Sequence, residues 1–142
     1  MTINNLELLM FSLNGKTKYG LEMLKVREVL KCPKSYKSPY TNQFVKWIST
    51  VRHSTLAIID LNMFLGCKVE TDTVDKFAIV IEYKSEKIAF LVNNVAGIDK
   101  YDCSQIKETP SCLSNSYLES IAQKGEEVVQ ILDIEKNNKQ NT

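Results

Sequence analysis

Apolar residues in this chain come in short runs, and each run is closed by a turn signal within a few residues. That pattern constrains the fold more than any other feature. Short runs bounded by Gly, Asn, Ser or Pro suit strands and leave little room for long helices. The clearest case opens the chain. Leu6-Glu7-Leu8-Leu9-Met10-Phe11-Ser12-Leu13 alternates in part and ends at Asn14-Gly15. That dipeptide suits a two-residue hairpin turn, where both central residues need positive φ. Thr17-Lys18-Tyr19-Gly20-Leu21-Glu22-Met23 then alternates again, as a returning strand would.

The same grammar continues. Met23 to Lys31 fits either a helical face or a turn followed by a strand, with a partial period of two across Val26-Arg27-Glu28-Val29-Leu30. Pro33 and Pro39 bracket a polar, basic stretch, Lys34-Ser35-Tyr36-Lys37-Ser38, which reads as a solvated connector before it reads as a binding loop. Phe44 to Ile48 and Leu56 to Leu61 flank a turn at Arg52-His53-Ser54-Thr55. The run Leu56-Ala57-Ile58-Ile59-Asp60-Leu61 is apolar enough for a strand buried on both faces. Asn62 to Leu65 reads as a helical turn stopped by Gly66.

Cys67 to Lys76 is a polar, acidic connector near the middle of the chain. After it, Phe77 to Tyr83 and Ile88 to Val92 form a second hairpin around Lys84-Ser85-Glu86-Lys87, and Val95-Ala96-Gly97-Ile98 continues the β pattern. Gly125 marks a turn between Leu118-Glu119-Ser120-Ile121-Ala122 and the strand Val128 to Leu132. Asp133 is placed to cap a short terminal helix, and residues 137–142 are polar and expected to fray. Many short strands in a chain of 142 residues point to one or two small antiparallel barrels.

Composition narrows the function. A formal net charge of +1 gives no field to concentrate polyanions, so neither nucleic acid nor direct insertion into a membrane is expected. No apolar run approaches the length of a membrane span, and Met1-Thr2-Ile3-Asn4-Asn5 carries no export signal, so a cytoplasmic location is expected. The four cysteines, Cys32, Cys67, Cys103 and Cys112, have wide, irregular spacing and read as free thiols.

Catalytic groups are not visible as a set. His53 is the single histidine, and zinc sites want paired ligands at tight spacing. As a base, His53 would need a nucleophile and an orienting acid. Asp60 is near in sequence but sits inside an apolar strand pattern. Cys32 has Lys31 beside it, a weak activator. The five glycines are scattered singly and form no phosphate cradle. No catalytic residue, metal or cofactor is therefore assigned, and a small barrel without chemistry is expected to be a binding module. The competing reading is a small enzyme using the cysteines and His53, or a binding barrel with some other role.

Several segments are familiar as an ordered series. Phe11-Ser12-Leu13, Tyr19-Gly20-Leu21-Glu22 and Lys25-Val26-Arg27-Glu28-Val29 come first. Phe44-Val45-Lys46, Arg52 and Ile58-Ile59-Asp60-Leu61 follow. Phe90-Leu91-Val92-Asn93-Asn94-Val95, Tyr117-Leu118 and Ile131-Leu132-Asp133-Ile134-Glu135-Lys136 complete it. In order and spacing this resembles the CheW-like coupling domains of bacterial chemotaxis, over about Leu8 to Lys136. Details such as Val26-Arg27-Glu28-Val29 before Cys32-Pro33 are similar to the CheV type. CheV proteins carry a receiver domain after the coupling domain; this chain ends first, so control of that kind is expected to be absent.

The resemblance implies an all-β fold of two small five-stranded antiparallel SH3-like barrels packed on a shared apolar core, with short helical turns and a short C-terminal helix. It implies a single coupling domain over residues 1–142. It also implies a scaffold bridging chemoreceptor cytoplasmic tips to the regulatory domain of a CheA-type histidine kinase, at membrane-associated receptor arrays. The family's receptor groove lies between the barrels. Positions matching it here are Val26, Glu28, Arg52, Ala78, Ile79 and Val95, of which Val26, Ala78, Ile79 and Val95 read equally well as core.

Two departures bear on that groove. Where the family usually has Asn-Leu-Arg-Gly, this chain has Thr50-Val51-Arg52-His53, and a glycine expected a few residues earlier is replaced by Trp47. A histidine at a turn that needs positive φ costs on the order of 1 kcal/mol relative to glycine. Either the turn changes shape or the cost is borne. Trp47 adds a large apolar surface that either fills the groove or anchors a different partner. Trp47 and His53 therefore join the candidate site residues.

Overall fold

A computed structural model describes residues 5–13, 17–31, 36–37, 45–51, 53–65, 76–109, 117–118 and 120–133. Within them the chain forms β1 (Asn5–Ser12), β2 (Lys18–Glu22), β3 (Val26–Lys31), β4 (Tyr36–Lys37), β5 (Val45–Val51) and β6 (Ser54–Asp60). Then follow α1 (Leu61–Phe64), β7 (Phe77–Tyr83), β8 (Glu86–Val92), β9 (Asn94–Asp102), β10 (Ile106–Glu108), β11 (Ser120–Lys124) and β12 (Glu127–Ile131). Two 3-10 turns, Met23–Lys25 and Cys103–Gln105, complete the described elements. The fold is all-β apart from these short helical turns, as the strand grammar implies.

The chain divides into two compact units, and these are not its two halves. One, the end unit, takes Met1–Phe11, Thr17–Leu24 and Ala96–Thr142; the other, the middle unit, takes Lys25–Val95 together with Ser12–Lys16. The described strands form two sheets, in the orders β10-β11-β12-β2-β1-β9 and β3-β7-β8-β6-β5-β4. Both are six-stranded, where five strands each were expected. The additional pairing comes from short pieces such as β4, two residues long, and β10, three residues long.

The sheets are also mixed, not purely antiparallel. β12 runs parallel to β2, with Val129 opposite Lys18 and Ile131 opposite Gly20. β6 runs parallel to β8, with Ala57 opposite Ile88 and Asp60 opposite Leu91. Parallel neighbours cannot be joined by a tight hairpin, so no local turn signal announces them.

Strand burial follows the sequence pattern. In the end unit Leu8, Met10, Tyr101, Ala122, Val129 and Ile131 form one buried cluster, with Leu6 and Ile106 packed against it. The glycine of Tyr19-Gly20-Leu21 suits this close packing. A Cβ at Gly20 would stand 3.0 Å from Leu8 Cδ1 and 3.2 Å from Val129 Cγ1. In the middle unit Leu56, Ile58, Ala78, Val80 and Ala89 form the buried cluster, flanked by Leu30 and Leu91.

Local expectations are refined at several points. The ambiguous Met23–Lys31 stretch resolves into a 3-10 turn and then strand β3. The second hairpin turns tightly on Lys84 and Ser85, both with positive φ (51° and 67°). Gly125 has φ 61° and sits in the turn between β11 and β12. The basic stretch expected to be a plain connector includes β4, in which Tyr36 pairs with Ile48 and Lys37 with Trp47. The Asn14-Gly15 turn, the Gly66 stop, residues 67–75 of the polar connector and the terminal helix after Asp133 lie outside the described residues.

Candidate functional site

Strand β3 carries the first two site residues and lies at one margin of the middle sheet. Its residues alternate between half-buried Val26, Glu28 and Leu30 and exposed Arg27, Val29 and Lys31. The pairing with β7 slips between Val26 and Glu28, so Val26 opposes Ile81 while Glu28 opposes Val80. Two residues of β3 therefore span one of β7, a β-bulge centred on Arg27. Arg27 also crosses to β7, its Nε lying 3.3 Å from Glu82 Oε1. A strand at a sheet margin with a bulge and an exposed ion pair is poorly suited to unspecific strand pairing and free to present side chains to a chosen partner.

Ala78 and Ile79 sit on β7, opposite Leu30 and Val29. Both are 0% exposed, so neither offers side-chain surface to a partner in this structure. Of the two readings left open for them, the core one describes their placement, on the strand paired beside β3. Val26 and Val95 differ, being only partly buried. Asn93 is the bend residue that leads from β8 into β9, and Val95 is the second residue of β9.

Trp47 belongs to β5, toward the other margin of the same sheet. An unbroken row of Cα partners runs from Glu28 through Val80, Ala89 and Ile58 to Trp47. Three strands thus separate Glu28 from Trp47 within the sheet. A second register shift, between Val45 and Trp47, lies beside the tryptophan. The Trp47 side chain and the whole of Arg52 lie outside what the structure describes.

His53 is exposed and has φ 66°, in the tight connection where Val51 pairs with Ser54. The turn has therefore kept the left-handed backbone that a glycine would adopt freely, and the histidine bears its cost. His53 and Asp60 stand at opposite ends of β6, on the order of 20 Å apart along the strand. That distance removes them as a catalytic pair. The buried Asp60 acts structurally instead. Its Oδ1 accepts the backbone N–H of Asn62 at 3.0 Å, at the start of α1. Asn62 Nδ2 in turn donates to Asn93 Oδ1 at 2.8 Å. Asn93 is fixed on its backbone side as well, its N–H donating to Ser12 O at 3.1 Å.

Sequence reasoning missed two features. Leu24, in the 3-10 turn ahead of β3, is 91% exposed, the most exposed large apolar side chain among the described residues. The ambiguity of Met23–Lys31 hid it, because either a helical face or a strand would have buried it. The Asp60–Asn62–Asn93 link was missed because its partners come from separate elements. Among the described residues no three His, Cys, Asp or Glu side chains gather where one metal ion could be held, and Cys103 is a free, exposed thiol.

Comparison with known proteins adds to this geometry. The sequence model of the CheW-like domain matches residues 7–140. The chain is 28% identical to the chemotaxis protein CheW of Klebsiella aerogenes over 136 residues, covering 92% of this chain and 80% of that protein. It is 23% identical to the chemotaxis protein CheV3 of Helicobacter pylori, covering 69% of this chain but only 32% of that longer protein. The crystal structure of the scaffolding protein CheW from Thermoanaerobacter tengcongensis superposes with a TM-score of 0.83 at 25% identity, over 91% of this chain and 89% of that one.

Proposed function

This chain belongs to the CheW-like domain family, and we propose that it is a non-catalytic coupling adaptor joining a chemoreceptor to a CheA-type histidine kinase. One observation carries the reading. The family match runs nearly the whole length of the chain, and the fold agrees with that of a CheW scaffolding protein over 91% of it. On the kinase side the partner is the regulatory domain of the CheA-type kinase. The adaptor works in the cytoplasm, gathered at receptor arrays through its partners. No described helix is long and apolar enough to cross a membrane.

The receptor-facing contact uses Val26, Glu28 and Val95, the partly buried members of the candidate set, with Arg52 and with His53 from the β5–β6 turn. Ala78 and Ile79, buried on the paired strand β7, brace β3 from its side. Partly buried apolar residues together with charged ones are the composition expected of a protein-recognition surface. Trp47, where the family expects a glycine, redirects or weakens the ordinary receptor contact.

Two binding assays test this. The chain should retain the purified regulatory domain of a cognate CheA-type kinase; no association even at about 100 µM would reject the coupling role. A receptor-tip fragment should bind less well to Arg52→Ala and better to Trp47→Gly. If neither substitution alters receptor association, the assignment of the receptor face is wrong even where kinase binding holds.

A further inference from the structure

We infer that Asn62 is a positioning residue for the receptor-facing contact, holding Val95 in place through Asn93. The inference rests on the proposed receptor role of Val95 and goes beyond it, since Asn62 touches no partner itself. It starts from a polar side chain in an apolar setting. Asn62 is 2% exposed and follows the fully buried Leu61 in α1. An apolar residue would fill such a site without needing hydrogen bonds, whereas a buried amide is costly unless its groups are partnered.

The partners explain the choice. The Asn62 backbone N–H goes to the buried Asp60 carboxylate at 3.0 Å, which fixes the start of α1 against the end of β6. Its side-chain amide goes to Asn93 Oδ1 at 2.8 Å. Asn93 is the single residue between β8 and β9, so it sets the point from which β9 departs. Its own N–H is held by Ser12 O at 3.1 Å. The joint is thus gripped by its backbone from one element and by its side chain from another. Two residues on, as the second residue of β9, comes Val95. A shift at Asn93 would be passed directly to Val95, because the intervening Asn94 is already extended strand.

The test is a double-mutant cycle read as affinity for a receptor-tip fragment, with kinase regulatory domain binding measured on the same preparations. Asn62→Ala is expected to weaken receptor binding about fivefold, the order set by one net hydrogen bond, and to leave kinase binding unchanged. In a Val95→Ala background the further effect of Asn62→Ala should vanish. Asn93→Asp, which keeps an acceptor for the Asn62 amide, should bind receptor as the parent does. If Asn62→Ala fails to fold, Asn93→Ala removes the same link from its less buried side and is expected to give the same loss. The inference is overturned if the losses from Asn62 and Val95 are additive, or if receptor and kinase binding fall together. Should Val95→Ala by itself leave receptor binding unchanged, it is the receptor role of Val95 that fails.

Discussion

The Lys124 ammonium lies 3.0 Å from an Asp99 carboxylate oxygen, tying the end of β11 to β9. The same ammonium sits 4.3 Å from the centre of the Tyr101 ring. One lysine therefore serves an ion pair and a cation–π contact at once, at the edge of the end unit's buried cluster. The hydrogen bond from Lys124 holds the Asp99 carboxyl below its ordinary value, against a smaller opposing effect of burial.

A pH dependence follows. A carboxylate whose folded pKa is depressed contributes stability that is fully present above its unfolded pKa, about 4, and is lost as pH falls through the folded value. Lys124→Met should therefore cost stability near neutral pH, and the gap between the two proteins should narrow as pH falls below about 4, leaving only the cation–π share. Both side chains are more than a third exposed, so the pair is worth no more than about 1 kcal/mol and should weaken with salt. Urea melts at pH 7 and pH 3 measure this. A gap that widened in acid would contradict the pairing.

Tyr101 makes a different prediction. Its buried hydroxyl makes no hydrogen bond of full geometry among the described residues, although the Asp99 carboxylate is near enough to interact with it. Burial, with the Asp99 and Glu127 carboxylates nearby, pushes its ionisation up to about 12. A raised phenol stabilises the fold below the unfolded value, near 10, and that contribution disappears as pH rises through about 12. Tyr101→Phe removes a buried hydroxyl that is at best weakly partnered and keeps the ring. Its stability at pH 7 should be equal to or greater than that of the parent, by up to about 1 kcal/mol. An ultraviolet titration should lose one tyrosine ionising near pH 12. A large drop in melting temperature would mean that the hydroxyl has a partner.

The left-handed His53 offers the simplest test of backbone strain. His53→Gly should stabilise the β5–β6 turn by about 0.5–1 kcal/mol, strain relief exceeding the added freedom of glycine in the unfolded chain. His53→Val, β-branched at φ 66°, should destabilise by about 1 kcal/mol or more. Thermal melts of the two variants should move in opposite directions. Receptor binding by His53→Gly would separately show whether the imidazole is a contact.

At Gly20 the direction is reversed. Gly20→Ala places a methyl group 3.0 Å from Leu8 Cδ1 and 3.2 Å from Val129 Cγ1. The overpacking should cost about 1–3 kcal/mol in denaturant melts. Trimming the neighbour in Gly20→Ala/Val129→Ala should recover part of that loss.

Features encoded locally were legible in the sequence. Lys84-Ser85 and Gly125 sit in the expected turns, and β1, β2, β7, β8 and β12 fall where alternation places them. What escaped was non-local. Nothing near Lys18 announces that it lies opposite Val129, because parallel neighbours have no shared turn. For the same reason the polar stretch after Cys67 looked like a midpoint, whereas the units divide at Leu24/Lys25 and Val95/Ala96. For the candidate site, resemblance supplied the positions of Val26, Glu28 and Val95, and the structure places all three as partly buried. Exposure was not legible. Val26 and Ala78 are both small apolar strand residues, and only the strand order makes one marginal and the other enclosed. Asp60 looked anomalous in an apolar run until its bond to the Asn62 N–H accounted for it.

The central claim is coupling, and co-sedimentation measures it most directly. Membranes carrying a cognate chemoreceptor are incubated with the CheA-type kinase, with and without this chain, and the pelleted kinase is quantified. Kinase is expected to pellet with receptor membranes in proportion to added chain, and a Val26→Asp/Glu28→Arg variant should abolish the effect while still binding kinase in solution. Kinase recovery that is the same with and without the chain would contradict the adaptor role.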